Sequence, residues 1–286
     1  MNTIAISDLL FPAFEKNALR NLPQNFGMEF FVEFGPVEYW RSLLPQFNIQ
    51  SRPISLHGPC VTVNLANPDD TQYLSRYEKD ITFGKEINAE FIVVHTNEQW
   101  SGNRKDIQNL VIERLQELDK LAQSIAGPRL AVENVGLLTN NLFNESEYIE
   151  LFTKFPNIVS LIDVGHANVN QWNLPYVIQT LNKKIIAYHL HDNNEKKDEH
   201  QPIGTSSINW TELFKAINTY SPNATKVLEY ANGTFKSMDQ LLEHLNSIES
   251  SIASVAFIHC CGVSVNALSP DSALNLSNSI GLKLGL

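Results

Sequence analysis

A chain of 286 residues with 43% hydrophobic and 18% charged residues reads as an ordinary globular protein with room for one large core. Its 31 acidic against 21 basic residues, a formal charge of −10, disfavour broad attraction to nucleic acid or to an anionic membrane. Three cysteines (Cys60, Cys260, Cys261) without a Cys-x-x-Cys pair exclude a disulfide framework, and no signal peptide or membrane-spanning apolar run is visible, so the expected compartment is the cytoplasm.

Strands are expected at 3–7, 28–34, 54–58, 91–95, 129–134, 158–163, 185–190 and 225–230. Each is short, apolar or β-branched, and bounded by Gly, Pro, Asn or charge, as strands covered on both faces are. Helical periodicity is expected between them, at 37–46, 69–88, 105–126, 145–155, 174–183, 209–219 and 237–252, with a fainter helix near 13–22. In the 105–126 stretch, Ile107, Leu110, Val111, Leu115, Leu118, Leu121 and Ala122 form one stripe, ended by Gly127-Pro128. Eight alternations of strand and helix predict an α/β fold, a (β/α)8 TIM barrel with a C-terminal extension. A doubly wound sheet would announce a Gly-rich turn after its first strand, and ISDLLFPAF has none. The expected division is a barrel over 1–250 and a tail over 251–286 of Ser, Ala, Gly and Asn character, charged only at Asp271 and Lys283. His259-Cys260-Cys261 in that tail has no metal-ligand spacing and reads as buried apolar sequence.

The strand ends carry the chemistry. Side chains in a barrel strand alternate inward and outward. His57 then shares a face with Ser55, His95 with Val93, Glu133 with Ala131, Asp163 with Leu161, and Glu229 with Val227. The seventh strand runs into His189, His191 and Asp192, and the loop beyond it holds Asp198 and His200 before Pro202 and Gly204. Asp163-Val164-Gly165-His166 adds a second polar side chain from the turn after the sixth strand. Converging buried carboxylates and imidazoles are costly without a compensating cation. The candidate ligands are therefore His57, His95, Glu133, Asp163, His166, His189, Asp198, His200 and Glu229, the last two loop members facing the same way if the loop is extended. The expected cofactor is a divalent metal (Zn, Mn, Mg or Co), one to three ions, since one ion takes four to six ligands.

The segments LHGP (56–59), VVHTN (93–97), VENVG (132–136), LIDVGHA (161–167), HLHDN…DEHQPIG (189–204) and LEY (228–230), taken in order over about residues 1–250, resemble the xylose-isomerase-like TIM-barrel superfamily. That superfamily holds sugar and sugar-phosphate isomerases and epimerases together with the apurinic endonucleases. HLHDN followed by DEHQPIG is most similar to the sugar phosphate isomerase/epimerase branch. The resemblance implies a single-metal set of Glu133, Asp163, His189 and Glu229, while the three-zinc endonuclease branch would use all nine positions. Its relatives continue after Gly204 with Gly-Glu-Gly, where this chain reads Thr205-Ser206-Ser207.

The implied activity is isomerisation or epimerisation of a sugar or sugar phosphate through an ene-diolate or a hydride shift. Glu133 or Glu229 would be the proton-transferring carboxylate. His166 and Lys197 are candidates for binding sugar hydroxyls, and Trp100 for packing on the sugar's apolar face or, equally, on the rim. The alternatives are a zinc-dependent phosphodiesterase resembling the apurinic endonucleases and an inactive metal-bound barrel. The expected partner is a small carbohydrate, with nucleic acid disfavoured, no membrane, and a homo-oligomer compatible with the sequence.

Overall fold

The computed structural model describes residues 3–11 and 16–261, the backbone alone for 16–17 and 255–261. Eight parallel strands close into a ring in chain order: β1 (Ile4–Ser7), β2 (Gly27–Phe31), β3 (Ile54–His57), β4 (Phe91–His95), β5 (Arg129–Glu133), β6 (Val159–Asp163), β7 (Ile185–Leu190) and β8 (Thr225–Leu228), which pairs with β1. The helices are α1 (Val37–Leu43), α2 (Tyr73–Glu86), α3 (Arg104–Ile125), α4 (Glu145–Lys154), α5 (Val164–Val169), α6 (Leu174–Leu181), α7 (Trp210–Tyr220) and α8 (Met238–Cys261). This is the expected (β/α)8 barrel.

The two strand faces do different work. Outward residues such as Ile6, Phe30, Leu56, Ile92, Val132 and Tyr188 join one core under the helices. Inward residues, including Ala5, Phe91, Val93, Ala131, Leu161, Ala187 and Val227, pack as a separate cluster inside the ring. The lower barrel is thus a packed plug, and side chains at the carboxyl ends of the strands stand on it.

Departures from the expected elements have local causes. Helix α2 begins at Tyr73 rather than at 69 because Asp70 serves the preceding loop: its carboxylate accepts from the Asn64 and Gln72 amides. Arg114 pins the same loop by donating to the carbonyls of Leu65, Asn67 and Asp70. Strand β2 stops at Phe31 because residues 32–34 turn as a 3-10 segment, which sends the Glu33 carboxylate to the Val61 and Thr62 amides. The fainter helix near 13–22 is a 3-10 helix over Lys16–Asn21, residues 12–15 lying outside the described residues. Helix α5 was not expected at all. Helix α8 runs past 252 to Cys261, with Ile252 buried. The side chains of His259, Cys260 and Cys261, and residues 262–286 with Asp271 and Lys283, lie outside the described residues.

Candidate metal centre at the carboxyl ends of the strands

Each ring strand from β3 to β8 lifts a polar side chain onto the apolar plug. His57, His95, Glu133 and Asp163 end their strands, His189 is the penultimate residue of β7, and Glu229 follows β8. Asp163 also caps α5, its Oδ1 accepting the His166 amide at 2.6 Å, which turns the His166 ring back over the same mouth. All nine expected side chains meet there.

They form three donor groups in a row. In the first, Glu133 Oε2 lies 3.0 Å from His95 Nε2 and 3.8 Å from His57 Nε2. In the middle group, His189 Nδ1 is 3.3 Å from Glu229 Oε2, 3.5 Å from Glu133 Oε1 and 3.9 Å from Asp163 Oδ2. In the third, Asp198 Oδ2 lies 3.0 Å from His200 Nε2 and 3.2 Å from His166 Nε2. Glu133 belongs to the first two groups and touches the third, since its Oε1 is 3.3 Å from His166 Nδ1.

In every ring of the set but His166, the opposite nitrogen is tied down from behind. His95 Nδ1 meets Glu98 Oε1 at 2.7 Å, His57 Nδ1 the Gly58 carbonyl at 2.9 Å, and His200 Nδ1 the Glu229 carbonyl at 2.8 Å. His189 Nε2 meets Glu29 Oε1 at 2.8 Å. Glu29 went unnoticed in the sequence because it sits in the middle of an apolar run, not at its end. His191 was visible but unassigned: its Nε2 bonds Asp163 Oδ2 at 3.0 Å, and its ring stacks on His200 with centroids 4.1 Å apart.

The loop after β7 is built around Asp192. This fully buried carboxylate accepts from the amides of Gly204, Ser206 and Ile208 and from Trp210 Nε1. Within Thr205-Ser206-Ser207, Ser206 closes the loop with its backbone amide, while Thr205 Oγ1 donates to the Pro202 carbonyl and Ser207 Oγ to the Asn193 carbonyl. Asp198 and His200 do converge, but not from extended backbone: His200 is left-handed at φ 47°, a strained position for a non-glycine residue.

Burial works against charge at His95, His166, His189, His200 and the carboxylates Glu133, Asp163, Asp198 and Glu229, and their mutual attraction reverses it for most. Desolvation lowers the His95 imidazole, yet Glu133 and Glu98 hold it up at about 10. His200, desolvated but bonded to Asp198, is raised to about 9. His189 and His166 are raised well above the usual imidazole value, against their burial, by Glu229 and Asp163 respectively. Despite burial, Glu133 is lowered by His95 and His189, Asp163 by His166 and His191, and Asp198 by His166 and His200. Glu229 alone of the four carboxylates is raised, because burial outweighs His189 and His200. In a chain stripped of its ion, protonated imidazoles would supply the positive charge that these carboxylates need.

The donor set fits a divalent metal. Zinc bonds of 2.0–2.1 Å in a tetrahedron imply ligand-to-ligand edges of roughly 3.3 Å, and the middle group's separations from His189 Nδ1 begin there. Among the described residues, buried His166 Nδ1, His189 Nδ1 and Asp198 Oδ1 lack a hydrogen-bond partner, and all three face neighbouring donors of the site. An ion would use such lone pairs and displace the protons.

Above the donors lies a cavity of about 370 Å³, with Leu9, Phe31, Val135 and Leu137 on its walls and the amides of Asn97 and Asn140 at its edge. His166 reaches it. Lys197 is exposed on the outer loop and does not line it. Trp100 packs against the outer core and donates from Nε1 to the Asn140 carbonyl at 3.0 Å, which places it behind the rim.

A parallel eight-stranded barrel with carboxylates and imidazoles at the carboxyl ends of its strands is a TIM barrel with a candidate metal centre. Residues 18–251 match the xylose isomerase-like TIM barrel family, and the chain belongs to it. An uncharacterized protein of Methanocaldococcus jannaschii is 25% identical over 234 residues, covering 76% of this chain and 77% of its own length. Among solved structures, a D-tagatose 3-epimerase-like protein superposes with a TM-score of 0.72 at 21% identity, covering 88% of this chain and 100% of its own. An L-ribulose 3-epimerase superposes at 0.71 and 13% identity, covering 94% and 100%. At such identities these two structures speak for the fold alone. Among the described residues, no helix is long and apolar enough to cross a membrane.

Proposed function

We propose that the chain is a divalent-metal-dependent isomerase or epimerase of a sugar or sugar phosphate. The observation that carries this reading is the pair of buried carboxylates, Glu133 and Glu229, which lie 3.5 and 3.3 Å from His189 Nδ1 at the floor of a cavity of about 370 Å³. Glu133, Asp163, His189 and Glu229 would hold the ion. When bound, it supplies a Lewis acid that polarises a sugar carbonyl and acidifies the adjacent C–H. Of Glu133 and Glu229, one takes a proton from the sugar and the other returns one to the opposite face or to the neighbouring carbon. His166 and the amide of Asn97 offer hydrogen bonds to hydroxyls, and Phe31 and Leu137 give the ring an apolar wall that excludes water. Membership of the family and the named epimerases among similar structures support the reading.

A second reading, a zinc phosphodiesterase, is favoured by the third donor group, in which Asp198 sits between His166 and His200. A one-ion isomerase has no need of it as a ligand set. The formal charge of −10 opposes a duplex substrate, which demands several phosphate contacts.

The deciding experiment is metal content per chain followed by a panel of ketoses, aldoses, their phosphates and an abasic duplex, run on the wild type and on Glu133→Gln. Isomerisation or epimerisation by the wild type, lost at least a hundredfold in the variant, is the expected result. Cleavage of the duplex, without turnover of any sugar, replaces the first reading by the second.

A further inference from the structure

Glu29 is an unexplained cost in a packed barrel. It projects from β2 into the ring, is fully buried, and lies one layer below the donors. Its Oε2 accepts from Ser55 Oγ at 2.9 Å, and Ser55 is its direct cross-strand partner on β3. Its Oε1 reaches across the interior to His189 Nε2 at 2.8 Å. An apolar side chain would fill that space without the cost of desolvating a carboxylate. Packing therefore does not account for it, and the contact with His189 does.

We infer that Glu29 is a positioning residue that fixes the tautomer and orientation of His189, so that the Nδ1 lone pair faces Glu133, Asp163 and Glu229. This deepens the metal-dependent reading above and rests on it. A neutral imidazole carries its proton on one nitrogen only, and the other is the ligand. With Glu29 accepting at Nε2, the proton belongs there, and Nδ1 is left as the donor. Buried Nδ1 has no hydrogen-bond partner, as a nitrogen reserved for an ion requires. Ser55 holds the carboxylate by its second oxygen, so Glu29 cannot swing away from the ring. The carboxylate also adds a negative charge behind the imidazole, which makes Nδ1 a stronger donor.

Glutamine is nearly isosteric but removes the charge, and its amide can donate to Nε2, driving the proton onto Nδ1. The test is zinc affinity of the full chain by competition with a chelating dye, for wild type, Glu29→Gln and Ser55→Ala, beside 15N spectra of the histidine rings in the zinc-loaded protein. The expected result is a loss of affinity of about 10- to 100-fold in Glu29→Gln, a smaller loss in Ser55→Ala, and a wild-type His189 protonated at Nε2 and coordinated through Nδ1. Zinc affinity of Glu29→Gln within twofold of the wild type, or a wild-type His189 coordinated through Nε2, overturns the role of Glu29 and leaves the metal reading standing. A wild type that takes up no ion overturns both. Should Glu29→Gln fail to fold, the 15N assignment in the wild type decides alone.

Discussion

A methyl group on Gly165 would sit 1.9 Å from Cε1 of His191 and 2.5 Å from its Nδ1, so the two residues share space for one. Gly165 stands in the first turn of α5, two residues after the Asp163 cap, and its bareness lets the His191 ring lie between Asp163 and His200.

Gly165→Ala is accordingly expected to push His191 off Asp163. Overpacking of this kind costs about 1–3 kcal/mol, less whatever alanine returns in helix propensity. Chemical denaturation should show the loss, and a titration with zinc should show weaker binding. The double variant Gly165→Ala, His191→Ala vacates the space and should recover stability relative to Gly165→Ala. Equal stability of the two would show that the helix moves instead.

The protonation of the site fixes the sign of a pH dependence. In the chelator-treated chain Glu133 and Glu98 hold His95 up at about 10 and Asp198 holds His200 up at about 9, both against burial and against 6.5 for a free imidazole, and His166 and His189 are also raised. Between those values the folded state holds more protons than the unfolded state. The stabilisation is complete below about pH 6.5 and is lost as pH rises towards 10. Buried Lys226, lowered by desolvation to about 8 from 10.5, acts in the opposite direction above pH 8, but it is one group against four. Denaturation midpoints of the chelator-treated chain should fall from pH 6.5 to 9.5. A flat or rising profile contradicts the imidazolium network.

Removing Asp198 and His200 together separates the two enzyme readings. In a one-ion isomerase the double variant Asp198→Ala, His200→Ala retains its most tightly held ion and loses most turnover, because only the cavity wall is altered. A fall from three zinc ions per chain to two, with phosphodiester cleavage by the parent, identifies the hydrolase.

Cutting the chain after Ser250 removes Ile252, which is buried, and the carbonyl that Asn218 Nδ2 reaches at 3.1 Å. We expect the shortened chain to remain a folded, ion-binding barrel, less stable by about 2–3 kcal/mol from the lost apolar burial and hydrogen bond. Urea denaturation measures this, and an insoluble or non-cooperative product would place the end of the barrel beyond 250.

What the sequence disclosed depended on how local each signal was. Strand ends were legible because an apolar run that stops at His57, His95, Glu133 or Asp163 announces both its length and its inward face. The alternation then placed six strand-end side chains at one mouth, and His166, Asp198 and His200 joined them from the turn and loop beyond, the last by a left-handed backbone that the sequence did not announce. Helix α5 was illegible because six residues are too few to show a period, and the glycine within it read as a turn. The start of α2 was misplaced because Asp70 is a competent cap whose carboxylate is employed elsewhere, by Asn64 and Gln72. Glu29 was hidden for a different reason: its meaning lies in His189, 160 residues away, and only ring closure brings them together.

That closure also orders events on the ribosome. The middle donor group takes its members from β5 to β8, with Glu229 emerging last, and β8 must find β1 before the floor exists. A nascent chain carrying His57, His95 and Glu133 can offer at most the first group. Any ligand seated across the floor is therefore captured only by a finished ring, and at a hundredfold excess over its dissociation constant it would hold that ring shut by about 2.7 kcal/mol. A ligand on the floor, unlike one held by the first group alone, would report that synthesis and closure are both complete.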